Sequence, residues 1–270
     1  GFVAIWEDRS RIGEDTIGLA IRGQAYNADG TARGAEFLVD ALDDLFADPS
    51  VTGLLDGGFV ATWDDLSEIR GQVFNADDTA RGDEFQVNTT TRFSQGDPSV
   101  TGLSDGGFVA TWTDSSETGE DSSFGAIRGQ VFNADGTARG VEFQVSTTDE
   151  RTTDPSVTGL SDGGFVATWE DRSDIGEDTS AGAIRGQAFN ADGKALGDEF
   201  QVNTTTRSSQ EQPSVAGLSN GDVVAIWEDE SDTGADTTRT AIRGQVFDFG
   251  ENSDDVSPDG PGTTGTIAVG

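Results

Sequence analysis

The chain contains no cysteine, no methionine and no histidine, and only one lysine, Lys194, and one tyrosine, Tyr26. Each absence removes a class of chemistry. Without thiol or imidazole there can be no Ser-His-Asp triad, no cysteine nucleophile, no thiol redox centre and no thiolate or imidazole zinc site. Positive charge is scarce as well: 16 basic side chains face 50 acids over 270 residues, a formal net charge of −34. Nucleic acid and anionic lipid need basic patches, so neither is expected as a direct partner. No apolar run approaches the ~20 residues of a membrane helix, which predicts a soluble chain. No charged-then-apolar leader stands at Gly1, so any export signal is expected to lie outside this sequence. An acidic, lysine-poor surface suits a place where salt screens its self-repulsion, and the expected localisation is extracellular or at a bacterial cell surface. The missing cysteines leave the redox compartment open.

What is present is a repeat. Tryptophan recurs at Trp6, Trp63, Trp112, Trp169 and Trp227, at spacings of 57, 49, 57 and 58 residues. A Gly-Gln pair follows each, at Gln24, Gln72, Gln130, Gln187 and Gln245. The unit reads P-S-V-T-G-L-S-D-G-G-F-V-A-T-W, an acidic loop, then A-I-R-G-Q-V-F-N-A-D-G-T-A-R-G-x-E-F-Q-V-N-T-T-T.

One unit holds four short β-type runs, Pro155–Leu160, Gly164–Trp169, Ala183–Asn190 and Glu199–Val202. Ser161-Asp162-Gly163-Gly164 and Asn190-Ala191-Asp192-Gly193 supply hairpin turns between them. Helical periodicity is absent. An all-β fold follows, and four antiparallel strands in each ~50–58-residue unit, five times over, predict a five-bladed β-propeller. Phe165, Ala167 and Trp169 should share one face of a blade and Val166 and Thr168 the other. The propeller is expected over residues 1–247, an acidic Pro/Gly-rich linker over 248–262, and a strand over 263–270 that pairs beside the first or fifth blade and closes the ring. An open array is the competing architecture.

Three constellations could carry chemistry. The loop after each Trp keeps the pattern D-x-S-x-x-G-x-D, which presents Asp8, Ser10 and Asp15; Asp114, Ser116 and Asp121; Asp171, Ser173 and Asp178; and Asp229, Ser231 and Asp236. Calcium takes six to eight oxygen ligands, often from alternating positions of a loop turned by Gly, so these residues are candidate Ca2+ ligands. Plain solvated hairpin tips are the other reading. Arg22, Arg70, Arg128, Arg185 and Arg243 each precede the Gln by two residues and are expected to pair with the acidic loops. Asp48, Asp97 and Asp154 stand ahead of P-S-V, with Gln212 in the fifth unit. If that strand is innermost, these acids rim one mouth of a central channel. Asn88-Thr-Thr and Asn203-Thr-Thr match the glycosylation pattern, and their identical repeat positions point instead to a shared turn.

Near-identical repeats give every acid the same surroundings, whereas glycoside hydrolysis asks for two carboxyls in unlike environments. The expectation is therefore no enzyme. It is a secreted binding or structural module of a bacterial surface, adhesin or matrix protein, with extracellular protein or carbohydrate as partner. A lectin-like propeller, a glycoside hydrolase or lyase, and a filament subunit built by strand exchange are the alternatives.

The runs D-G-G-F-V-A-T-W, I-R-G-Q-V-F-N-A-D-G and E-F-Q-V-N-T resemble the tandem repeats of large secreted haemolysin-type calcium-binding, or RTX-associated, proteins of marine bacteria. The resemblance extends to Phe247. It implies type I secretion, calcium-assisted folding outside the cell, and adhesion or surface-layer function. The nonapeptide G-G-x-G-x-D-x-U-x of RTX calcium sites does not occur here.

Overall fold

A computed structural model describes residues 1–10, 20–41, 47–65, 67–116, 125–147, 151–173, 182–233 and 240–249, and the backbone of 262–269. The described residues form strands and turns with no helix, in five antiparallel sheets of consecutive strands. The first sheet holds β1 (Phe2–Asp8), β2 (Ala20–Tyr26) and β3 (Ala32–Ala41). The second holds β4 (Ser50–Gly53), β5 (Phe59–Asp65), β6 (Glu68–Phe74) and β7 (Phe85–Gln86). The third holds β8 (Gln95–Gly102), β9 (Phe108–Asp114), β10 (Ala126–Phe132) and β11 (Ala138–Gln144). The fourth holds β12 (Thr152–Gly159), β13 (Phe165–Asp171), β14 (Ala183–Phe189) and β15 (Ala195–Gln201). The fifth holds β16 (Gln210–Gly217), β17 (Val223–Asp229), β18 (Ala241–Asp248) and β19 (Gly262–Val269), which pairs with β18 as the outer strand.

The turns explain why strands alternate so densely. In L-S-D-G-G, the Leu160 N–H donates to the Gly164 carbonyl, and Gly163 takes φ +102, a conformation open to glycine. In N-A-D-G-T, the Asn133 side chain donates to Thr137 Oγ1, and Asp135 accepts from the Thr137 backbone. Each hairpin is therefore closed by its own side chains.

Packing between sheets follows from period-two alternation. Phe165, Ala167, Trp169 and Phe189 of the fourth sheet pack on Val109, Ile127 and Val131 of the third. On the other face, Val166, Ile184 and Ala188 pack on Val223, Ala225 and Trp227 of the fifth. Interior sheets are thus buried on both faces, and Trp63, Trp112, Trp169 and Trp227 have at most 1% of their surface exposed. Outer-strand phenylalanines lock each junction. Phe143 lies across Gly129 of its own sheet, where a Cβ would sit 2.8 Å from the ring, and tilts against Phe165 and Phe189 of the next. Only glycine admits that ring.

The inner strands are joined by hydroxyl groups. Val100 and Gly102 donate their N–H groups to Ser50 Oγ and Thr52 Oγ1 of the preceding inner strand. Val157 and Gly159 do so to Ser99 and Thr101, and Val215 and Gly217 to Ser156 and Thr158. This is the work of the P-S-V-T-G motif. β4, β8, β12 and β16 stand side by side, with the D-P residues gathered round one cavity at their starts and the G-L residues round another at their ends.

Candidate active site at the channel mouth

The residue ahead of the P-S-V strand sits at a bulge in the third, fourth and fifth sheets, and Asp48 in the second shares its left-handed backbone. Asp48, Asp97, Asp154 and Gln212 all have positive φ, between 27 and 53, and the ladders shift register at Gly96/Ser99, Thr153/Ser156 and Glu211/Ser214. An extra residue in one strand re-aims its side chain and is a common device beside functional sites. Here the four side chains come together around a cavity of about 260 Å³, with Pro98, Pro155 and Pro213 behind them. The residues that precede P-S-V in the sequence therefore share one cavity, to which the fifth unit contributes an amide.

A second tier of acids comes from the strands behind. Three of them directly follow a Trp, Glu7, Asp64 and Glu170, and each lies close enough to the rim to interact with its charges. Asp64 donates its own N–H to the Ala47 carbonyl, while its Oδ1 has no hydrogen-bond partner among the described residues. Burial, reinforced by the negative charges of Asp48, Asp97 and Glu7, pushes its carboxyl up to about 7. Glu170 is 1% exposed and is likewise raised to about 7 by burial, against the pull of the Arg172 guanidinium paired with its Oε1. Glu211 and Asp154 add to the rise. Asp97 is raised by burial and by Asp154 and Asp48, and Asp48 by burial, Glu7 and Asp154. These mutual influences run across the channel, so the acids act on one another as a group. A carboxyl that keeps its proton near neutrality, beside other carboxyls at the same mouth, can donate a proton to a leaving group while a neighbour activates water.

The first aspartate of each long loop after Trp is hydrogen-bonded at the loop's base. Asp114 is fully buried; its Oδ1 accepts from Gln95 Nε2 at 2.5 Å and from the Ser116 N–H at 2.8 Å, and its Oδ2 from Arg128 Nε at 2.5 Å and Ser116 Oγ at 2.8 Å. Asp229 accepts from Gln210, Ser231 and Arg243 in the same way. Asp171 pairs with Arg185 at 2.5 Å and accepts from the Ser173 N–H, and Asp8 pairs with Arg22 at 2.8 Å and accepts from the Ser10 N–H. These carboxylates therefore anchor the base of their loops to the sheet. In the second sheet, which has no long loop, Arg70 turns to Glu68 and Glu84. Asp15, Asp121, Asp178 and Asp236, the other half of the expected calcium set, lie outside the described residues. Among the described residues no group of three or more acids has a metal-binding arrangement.

Asn88 and Asn203 are turn residues. Each is 2% exposed and accepts the N–H of Ile69 or Ile184 at 2.8 Å.

No protein-family model and no curated protein matches the sequence, so the resemblance to RTX-associated repeats rests on its motifs alone. Solved structures do share the fold. The α-L-arabinofuranosidase of Fusarium graminearum, in complex with an iminosugar inhibitor, superposes with a TM-score of 0.57 at 14% identity, over 82% of this chain and 69% of that one. The α-L-arabinanase of Penicillium chrysogenum, complexed with arabinobiose, gives 0.56 at 15% identity, over 83% and 66%. The NanB sialidase of Streptococcus pneumoniae gives 0.54 at 10% identity, over 82% and 34%. The chain spans about two thirds of the length of the first two. At these identities the likeness establishes a propeller-like fold. It also corrects the expectation that such a chain is no enzyme, because these neighbours are glycoside-cleaving enzymes. The premise of that expectation weakens on the chain itself, since the residue after Trp is Glu in three units, Asp in one and Thr in one, so that Asp64 stands where no other unit has an aspartate. The reading as a structural or binding module gains no support from the neighbours.

Proposed function

We propose that the D-P mouth of the channel is the active site of a glycoside hydrolase. One observation carries the reading: Asp64, held protonated up to about 7, stands beside Asp48 and Asp97 at the same mouth. Asp64 is the proton donor to the glycosidic oxygen. Asp97 and Asp48 are the carboxylates that activate water or stabilise positive charge developing on the sugar, the division of labour that two-carboxylate hydrolysis requires. Glu170, tethered by Arg172, is the second candidate donor. The neighbours named above suggest arabinofuranosides as the first substrates to try. In the finer architecture that accompanies this reading, the five sheets are five blades around the channel.

The test is hydrolysis of p-nitrophenyl glycosides and arabinan by the wild type, Asp64→Asn, Asp97→Asn and Glu170→Gln. Loss of a general acid or base typically costs 10²–10⁴-fold in rate. Turnover that falls at least about 100-fold in Asp64→Asn or Asp97→Asn, with folding intact by circular dichroism, supports the site. Turnover equal in all four proteins refutes it.

A further inference from the structure

The connections 88–95 and 203–210, which carry the chain from the second sheet to the third and from the fourth to the fifth, read N-T-T-T-R-F-S-Q and N-T-T-T-R-S-S-Q. They differ only in Phe93 against Ser208. Both residues take left-handed backbone, φ 61 and 64, which a bulky side chain rarely adopts, and Phe93 is 50% exposed. Among the described residues the other exposed phenylalanine, Phe2, stacks on Tyr26 with ring centroids 4.9 Å apart, whereas Phe93 meets no ring and has the Arg92 guanidinium over it, 5.0 Å from its centroid. Neither burial nor the turn calls for an aromatic here, since the fifth sheet's connection makes the same turn with serine. The segment lies at the D-P end of the sheets. Ser94 O accepts the N–H of Ser115 at the base of the third sheet's loop, and Asp97 is four residues on, at most about 14 Å away. At its start Asn88 Nδ2 donates to Ser67 O at 3.2 Å, in the hairpin that follows Asp64. That hairpin is short: residues 66–67 join the paired Asp65 and Glu68, whereas eleven residues, 9–19, 115–125, 172–182 and 230–240, join the corresponding strands of the other sheets. Two residues cannot rise above the strands they join, so the second sheet carries no long loop at this end.

Resting on the hydrolase reading above, we propose that Phe93 is the platform of an outlying sugar subsite: a neutral glycan held for cleavage at the D-P mouth runs out over the short hairpin of the second sheet and lays a ring against Phe93. The face of an aromatic ring carries the negative part of its quadrupole, which attracts the electron-poor C–H groups on the face of a sugar ring. Such a contact needs an aromatic that is exposed and fixed, and Arg92 holds Phe93 from one side. Polar partners stand at the hairpin. Glu68 occupies the position of Ala20, Ala126, Ala183 and Ala241 in the other sheets, and with Arg70, 2.7 Å from it, it presents acceptors and donors to sugar hydroxyls. A polyuronate would be repelled by Asp48, Asp97, Asp154 and Glu68, so the chain bound is an uncharged one. Because the subsite lies away from the point of cleavage, affinity should grow with chain length until a ring reaches Phe93.

Linear arabino-oligosaccharides of increasing length, titrated calorimetrically against the full chain carrying Asp64→Asn so that cleavage does not consume them, give the test. The dissociation constant should fall at least about tenfold from the disaccharide to the longest member. Phe93→Ser in the same background, which gives the connection the fifth sheet's own sequence and so keeps its turn, should remove that gain, and Phe93→Trp should retain it. Leu55→Ser, which alters a 71% exposed side chain at the opposite end of the sheets, should leave it intact. Affinity independent of length, a gain that survives in Phe93→Ser, or no binding of any member overturns the proposal. Hydrolysis of the same oligosaccharides by the chain with Asp64 intact is followed separately. A gain lost in Phe93→Ser with no cleavage at all would uphold the subsite and refute the hydrolase, whereas cleavage with the gain unchanged in Phe93→Ser would do the reverse.

Discussion

Replacing Asp114 by Asn removes one charge and almost no volume, so its cost isolates what the carboxylate does at the base of its loop. Asp114 is fully buried and Arg128 is 9% exposed, so neutralising the aspartate strands a largely buried guanidinium. Breaking a buried ion pair at one end typically costs about 3–5 kcal/mol, because the other charge is left uncompensated. Glu142 Oε1, 3.5 Å from Arg128 Nη1, survives as a partial counter-ion, which places the loss at the lower end, about 3 kcal/mol. At roughly 2–4 °C per kcal/mol for a chain of this size, the melting temperature should fall by about 6–12 °C. Asp78→Asn is the control, since its partner Arg33 is 45% exposed and such pairs contribute up to about 1 kcal/mol. Urea denaturation followed by Trp fluorescence reads both, with Trp112 directly opposite Arg128 in the ladder. An Asp114→Asn variant within about 1 kcal/mol of the wild type refutes the anchoring role. A calcium-dependent rise in wild-type stability that vanishes in this variant would instead make Asp114 a metal ligand.

Gly129→Ala should destabilise by about 1–3 kcal/mol in urea, because its Cβ would sit 2.8 Å from the Phe143 ring and overpack a buried junction; a neutral variant contradicts the glycine–phenylalanine lock. Asn88→Ala leaves the Ile69 N–H without its acceptor and should cost about 1–3 kcal/mol, while Asn88→Ser should be milder, because Ser146 fills the same role for Ile127 in the third sheet; equal losses would contradict this. Asp64 and Glu170 have carboxyls raised to about 7 from 3.8 and 4.5, so the folded state binds protons more tightly than the unfolded one, and their stabilising contribution is complete below about pH 4 and lost as the pH rises through 7. The melting temperature should therefore fall between pH 5 and pH 8, and Asp64→Asn should flatten that slope; an unchanged slope contradicts the burial of the charge. With the first Asp of each loop engaged by Arg and Ser, calcium should raise the melting temperature no more than magnesium at matched ionic strength.

Strand content and the meander were legible because Trp, Gly-Gln and D-G-G recur in a fixed order, and period-two alternation placed Phe165, Ala167 and Trp169 on one face. Strand ends were less legible. β12 begins at Thr152, ahead of Pro155, because the bulge at Asp154 lets the chain rejoin the ladder, and β15 begins at Ala195 rather than Glu199. The rim acids were found from their position before P-S-V, since an inner strand delivers its first residues to a channel mouth. Asp64 and Glu170 were missed. Their signal was the position after the Trp, which is Glu7, Asp64, Thr113, Glu170 and Glu228 in turn, and the regularity of the surrounding motif concealed it. The loop aspartates read as cation ligands because sequence shows oxygens in a row, and the fold adds that arginine, serine and glutamine side chains donate to Asp114 and Asp229.

The most direct measurement of the central claim is the pH dependence of kcat/KM for whichever glycoside the wild type cleaves. A half-buried donor with its proton held up to about 7 predicts a profile whose alkaline limb falls near neutrality and is abolished in Asp64→Asn, with Glu170→Gln as the parallel test. Failure to cleave any glycoside, or an alkaline limb unchanged in both variants, would contradict the account.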